Sequence, residues 1–178
     1  DYDEPAYETF WARLEELDVV AVLHPNGFSG GERLTRYYMI NVVGNPLETT
    51  YFLSRLIFDG VLDKFPGLRV WAAHAGGYLP SYLGRTEAAC TVRQNAECAN
   101  KRPPSAYLKS QISIDTMVFS PEGLRHLVAE VGVSQVMYGT DVPFNWPVTV
   151  DLVLEAPFLS DDDKAAILGG NAARLLRL

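Results

Sequence analysis

The chain has 178 residues, 48% of them hydrophobic and 21% charged, with a net charge of −7. That length suffices for one domain over residues 1–178 that buries roughly 70% of its unfolded surface. The acidic balance offers no basic stripe to displace phosphate counterions, which excludes nucleic acid as a partner, and no apolar run reaches the ~18 residues of a membrane span. The start, Asp1-Tyr2-Asp3, is acidic, unlike a secretory signal, and lacks a methionine, so the sequence reads as a piece of a longer cytoplasmic protein. Cys90 and Cys98 show no CxxC spacing and are expected to be reduced thiols.

Pro5 to Leu17 places Tyr7, Phe10, Trp11, Leu14 and Leu17 at three-to-four spacing, which predicts an amphipathic helix. It feeds a strand over Val19 to Leu23, followed by a long loop through Asn26-Gly27 and Gly30-Gly31. Asn45-Pro46 has the form of an N-cap with proline at the first helical position, predicting a helix from Leu47 to Asp63. Pro66-Gly67 is a turn, Leu68 to Ala73 a second strand, and Leu79 to Glu97 a helix broken by Lys101-Arg102-Pro103-Pro104. Gln111 to Asp115 is a short third strand, Ser120-Pro121-Glu122 opens a helix through Glu130, and Val133 to Tyr138 is the last strand. Ser160 caps a final helix whose first turn holds Asp161, Asp162 and Asp163, where the helix dipole favours negative charge.

Apolar strands joined by helical crossovers argue for a parallel α/β sheet. Three strands run out in polar residues that can bind metal: His24 before Pro25, His74 before Ala75-Gly76-Gly77, and Asp141 before Val142-Pro143. Such a layout predicts a metal site at the C-terminal face of the sheet. Four strands cannot close a barrel, which normally takes eight, so two open edges are expected to be covered by a missing segment or a partner chain.

Together, His24-Pro25, Pro46-Leu47-Glu48-Thr49-Thr50, Ala73-His74-Ala75-Gly76-Gly77, Tyr138-Gly139-Thr140-Asp141-Val142-Pro143-Phe144 and the closing Gly170-Asn171-Ala172-Ala173-Arg174 resemble the amidohydrolase-related family. The match is nearest to its aminocarboxymuconate-semialdehyde decarboxylase-like branch, and it extends over nearly the whole chain. It implies a TIM-type (β/α)8 barrel of the metal-dependent hydrolase superfamily, of which this chain resembles the C-terminal half, strands five to eight. The family's first strand carries a His-x-His or Glu-x-His pair. No such pair occurs here, where the only histidines are His24, His74 and His126.

By this resemblance His24 and Asp141 are ligands of a divalent metal, zinc first and manganese second, with a water completing the shell. His74 is the general acid or base, acting with that water and with Asp141 in the catalytic group. Arg85, eleven positions after His74, matches an arginine that reaches a substrate carboxylate across a dimer interface, as a planar guanidinium fork is suited to do. From the residues alone it reads equally as a solvated arginine. Arg33 and Arg36 are weaker candidates for the same anion, Phe144 and Trp146 could line the pocket, and Trp71 reads as packing. Asp115 reads foremost as a strand-end turn and secondarily as an orienting carboxylate, and His126 reads as a surface residue.

The leading expectation is a metal-dependent decarboxylase of an unsaturated or aromatic carboxylic acid, acting on a small anionic or carbonyl-containing substrate as a homodimer. The same residues would serve a hydrolase of a lactone, amide or ester. A non-enzymatic alternative is an inactive half-barrel acting as an interaction subunit, since two protein ligands hold zinc poorly.

Overall fold

The computed structural model describes residues 2–178; Asp1, part of the start that suggested a longer protein, lies outside them. Four parallel strands, β1 (Val20–Leu23), β2 (Arg69–Ala72), β3 (Ile112–Asp115) and β4 (Val136–Met137), lie side by side in chain order. The register pairs Val20 with Arg69, Val70 with Ile112, and Ile114 with Val136. β3 is buried at every position, as its place inside the sheet requires, whereas Val22 on the edge strand β1 is exposed.

Helices fill the crossovers: α1 (Glu8–Glu16), α2 (Asn45–Phe58), α3 (Val61–Lys64), α4 (Leu83–Val92), α5 (Pro104–Leu108), α6 (Pro121–Val131), α7 (Val150–Leu154), α8 (Asp161–Ala165) and α9 (Asn171–Leu176). The inward positions keep helical spacing: Thr49, Leu53, Leu56 and Ile57 on α2, and Leu124, Leu127 and Val131 on α6. Both predicted serine caps form. The Ser120 hydroxyl accepts from the Gly123 N–H at 3.1 Å, and Ser160 makes a reciprocal box with Asp163. Among the described residues no helix is long and apolar enough to cross a membrane.

Several predicted boundaries move. The helix expected over Leu47 to Asp63 is two helices, because Gly60 takes a left-handed φ of 71° between α2 and α3. Asn45 is no N-cap: a π-turn over Ile40–Gly44 runs straight into α2, and the Asn45 side-chain oxygen accepts instead from the Gly27 N–H across the loop. The helix expected over Leu79 to Glu97 ends at Val92, and the last strand is only Val136–Met137, preceded by a 3-10 turn at Val133–Gln135. The two cysteines are not free thiols. The chain folds back after α4, bringing the Cα atoms of Cys90 and Cys98 to 5.7 Å, and the sulfurs form a disulfide. The cytoplasmic expectation had leaned on reduced cysteines and draws no support from them.

At the N-terminal ends of the strands, buried and half-buried polar side chains knit the layers together. Arg69 donates to the Asp18 carboxylate at 2.8 Å, and also to the carbonyls of Asp18 and Leu175. The buried Gln111 amide donates to the carbonyls of Leu62 and Phe65, each at 3.1 Å. Asn171 does the same for Val133 and Val136 at 2.8 Å. These bonds anchor the strand starts, so that the opposite ends are presented from a fixed frame.

Candidate metal centre

At the other end of the sheet β1, β2 and β4 stop and deliver His24, His74 and Asp141 to one place. One candidate ligand atom from each lies within 4.8 Å of the others. His24 Nε2 stands 3.7 Å from Asp141 Oδ1, and the two imidazole rings are 4.9 Å apart between centroids. Two imidazoles and a carboxylate around one point form a donor set suited to a divalent metal.

The loop that carries His74 is held by its neighbours. His74 and Ala75 have φ values of 58° and 53°, a left-handed conformation that costs non-glycine residues of order 1–3 kcal/mol each. Asp115, at the end of β3, offsets that cost. Its carboxylate accepts from the backbone N–H groups of His74 at 3.0 Å, Ala75 at 2.7 Å and Met117 at 3.1 Å. Asp115 is therefore a buried positioning residue and not the simple strand-end turn that headed its sequence reading. Burial pushes its carboxyl up to about 6, against the three N–H bonds that favour the anion, with the charge of Asp141 adding to the rise.

The loop's other wall is α2. The Thr50 hydroxyl accepts from the Tyr78 N–H and donates to the Pro46 carbonyl, both at 2.7 Å. A Cβ on Gly77 would lie 2.2 Å from that same carbonyl, so the second glycine of the Gly-Gly pair is required by contact as well as by its φ of 65°. The Thr49 hydroxyl donates to the Asn45 carbonyl at 3.1 Å and lies 3.4 Å from His74 Nδ1. With the Thr49 proton so committed, Nδ1–H donates to Thr49 and the Nε2 lone pair is left available. Burial, and next the neighbouring His24, pull the His74 imidazole below its usual value against the opposing pull of Asp141. The ring is thus neutral at pH 7, the form that can bind a cation or take a proton.

A cavity of about 250 Å³ opens onto His74 and Asp141, with Pro46, Met117, Phe119 and Trp146 among its walls. A second, of about 430 Å³, lies beyond Trp146 and is lined by Tyr38, Pro143, Phe144 and Asn145. Phe144 therefore borders the outer cavity and does not line the inner one. Arg85 is exposed on α4 and Arg33 is exposed in the 3-10 turn Gly31–Leu34, and neither lines either cavity. His126 lies half-exposed on the surface of α6, as expected of a surface residue. Sequence reasoning passed over Thr49, Thr50 and Phe119. The threonines stood within a recognised motif, but only the fold shows that they face the His74 loop.

A family model described as amidohydrolase matches residues 1–178. The chain belongs to the amidohydrolase family. This amidohydrolase chain is 33% identical over 180 residues to the 2-amino-3-carboxymuconate-6-semialdehyde decarboxylase of Dictyostelium discoideum, covering 99% of itself and 50% of that protein. Among solved structures it is similar to 5-carboxyvanillate decarboxylase from Sphingomonas paucimobilis (TM-score 0.88, 29% identity, 99% of this chain and 55% of that one). It is also similar to a dihydroxybenzoic acid decarboxylase from Polaromonas, with bound manganese and the inhibitor 2-nitroresorcinol (TM-score 0.87, 27% identity, 99% and 55%). The chain spans about half the length of the curated relatives it matches. Its four-stranded parallel sheet is a partial barrel of the TIM type, and the resemblance to the semialdehyde decarboxylase branch is borne out.

Proposed function

We propose that the chain is the C-terminal half-barrel of a metal-dependent carboxy-lyase that removes CO2 from an unsaturated or aromatic carboxylic acid. The observation that carries this reading is the meeting of His24, His74 and Asp141 at the strand ends. Relatives that are themselves named decarboxylases support the lyase over the hydrolase alternative. The convergence of His74 on the His24 and Asp141 pair supports an active site over an inactive interaction subunit.

His24 and Asp141 would hold a divalent ion. Zinc suits the imidazole and carboxylate donors, and the manganese in the Polaromonas decarboxylase supports that ion as the alternative. When bound, such an ion supplies Lewis-acid polarisation of a substrate oxygen and charge stabilisation. His74, neutral and held by Asp115 and Thr49, would take a proton at its free Nε2 and then pass it from that atom to the carbon that loses its carboxylate. Arg85 and Arg33 remain our candidates for holding a substrate carboxylate. Their exposure fits a role completed by a second subunit or by further chain, as does a homodimer. Phe144 would contact the substrate only from the outer cavity.

The test is CO2 release by the full-length protein from a panel of unsaturated and aromatic acids, with ester and lactone hydrolysis assayed alongside. Decarboxylation that disappears in His74→Ala supports the reading; hydrolysis without decarboxylation replaces it with the hydrolase.

A further inference from the structure

The β4 ladder ends at Met137, so Tyr138, Gly139 and Thr140 lead to Asp141 outside the sheet. Asp141 itself takes a left-handed φ of 54°, a conformation its surroundings must hold, and the Val142 to Asn145 segment after it is exposed. Among the described residues the Asp141 carboxylate lies 3.7 Å from His24 Nε2 and accepts no hydrogen bond, so the backbone that carries it must set its place. That backbone is gripped at Gly139. The Gly139 N–H donates to the Thr116 hydroxyl at 3.2 Å, and the Thr149 hydroxyl donates to the Gly139 carbonyl at 3.4 Å. Thr116 is fully buried and Thr149 is 3% exposed. Burying a hydroxyl is costly unless it is hydrogen-bonded, and among the described residues Gly139 is the one partner of each. A Cβ on Gly139 would lie 2.8 Å from the Cβ of Asp115, so glycine is what lets this segment approach the end of β3 so closely.

We infer that Thr116, assisted by Thr149, is a positioning residue that clamps Gly139 and thereby places the Asp141 carboxylate to bind a divalent cation. The inference rests on the metal-centre reading and deepens it. Thr116 follows Asp115, whose carboxylate holds the backbone N–H groups of His74 and Ala75. β3 lies between β2 and β4 in the sheet. Two successive residues at the end of this inner strand therefore reach to both sides, Asp115 to the loop that carries His74 and Thr116 to the segment that carries Asp141. Together they fix the separation of the two functional side chains. Groups that orient metal ligands from behind act on metal affinity without touching the ion.

The test is calorimetric titration of manganese into the metal-stripped full-length protein, in wild type, Thr116→Val, Thr116→Ser and Gln111→Ala, with urea unfolding measured in parallel. Thr116→Val keeps the side-chain volume and removes the acceptor for the Gly139 N–H; it should weaken manganese binding roughly 10- to 100-fold. Thr116→Ser retains the hydroxyl and should bind like wild type. Gln111→Ala loses stability at the opposite end of the sheet and should also keep the wild-type affinity. If Thr116→Val loses stability but binds manganese as wild type does, or if Gln111→Ala weakens binding as much as Thr116→Val, the clamp is overturned while the metal centre stands. Should Thr116→Val fail to fold, Thr149→Val carries the same comparison with a smaller expected loss, and wild-type affinity in that variant overturns the clamp. A wild-type protein that takes up no manganese overturns the metal-centre reading and the clamp with it.

Discussion

The two ends of the sheet use buried polar groups for opposite purposes. At the strand starts Gln111 and Asn171 are neutral amides whose donors are spent on backbone carbonyls, and Arg69 is tied to Asp18 and the C-terminal helix. At the strand ends the polar groups are ionisable, partly open to solvent and mounted on backbone in left-handed conformations at His74, Ala75, Phe119 and Asp141. One end spends its side-chain amide donors within the fold, although Asn171 Oδ1 and Arg69 Nε have no partner there, and it stabilises. The other keeps atoms free for something outside the fold, and the strain it carries is characteristic of a site that acts on a ligand. Asp115 spans the two regimes: like the lower amides it bonds to backbone, yet its bonds hold the upper loop.

The sharpest way to test this division is to remove one side chain from each end. His74→Ala should lower turnover by about 10²–10⁴-fold, the range for a general acid or base, while its unfolding midpoint stays near that of the parent. Gln111→Ala should do the reverse. Two buried carbonyls lose their donor, so urea unfolding should show a loss of about 2–4 kcal/mol, with turnover unchanged at temperatures where the protein remains folded. A large stability loss in the first variant or a large activity loss in the second would erase the distinction.

Asp115 allows a test by pH. Its carboxyl is raised in the folded state from 3.8 to about 6. The proton is therefore held more tightly folded than unfolded, and the associated stability is full below about 4 and lost as pH rises through 6. The shift corresponds to about 3 kcal/mol. Unfolding free energies of the metal-free protein between pH 4 and 7, compared with Asp115→Asn, should differ in slope in that direction; parallel curves would remove Asp115 as the titrating group. His74 acts oppositely, its lowered value adding stability as pH rises toward 6.5 and no more above it, which is why the difference from Asp115→Asn is the informative quantity. The smallest expected effect is Ser160→Ala, which removes a helix cap far from the chemistry. It should cost about 1 kcal/mol in thermal or urea unfolding and leave metal binding untouched.

The upper end was the more legible in the sequence, for a physical reason. A strand that must be buried is apolar, so a histidine or aspartate that stops it stands out, and His24, His74 and Asp141 could be read directly. The order of strands and helices followed from the same alternation. Helix limits were harder, because the π-turn ahead of Asn45 and the break at Gly60 depend on local backbone geometry that a hydrophobic pattern does not encode. The Cys90–Cys98 pairing arises from a reversal after α4, and a spacing of eight residues carries no signature of its own. Thr49 and Phe119 become part of the site only through tertiary proximity. Asp115 was noticed for its place at the end of β3, but its three N–H partners could be found only in three dimensions.

The central claim is that the strand ends form a metal centre, and metal stoichiometry of the full-length protein, wild type beside His24→Ala, Asp141→Ala and His74→Ala, tests it most directly. The account predicts about one divalent ion per chain in the parent, loss of that ion in His24→Ala and Asp141→Ala, and retention of most of it in His74→Ala. A full complement of metal in both His24→Ala and Asp141→Ala would contradict it.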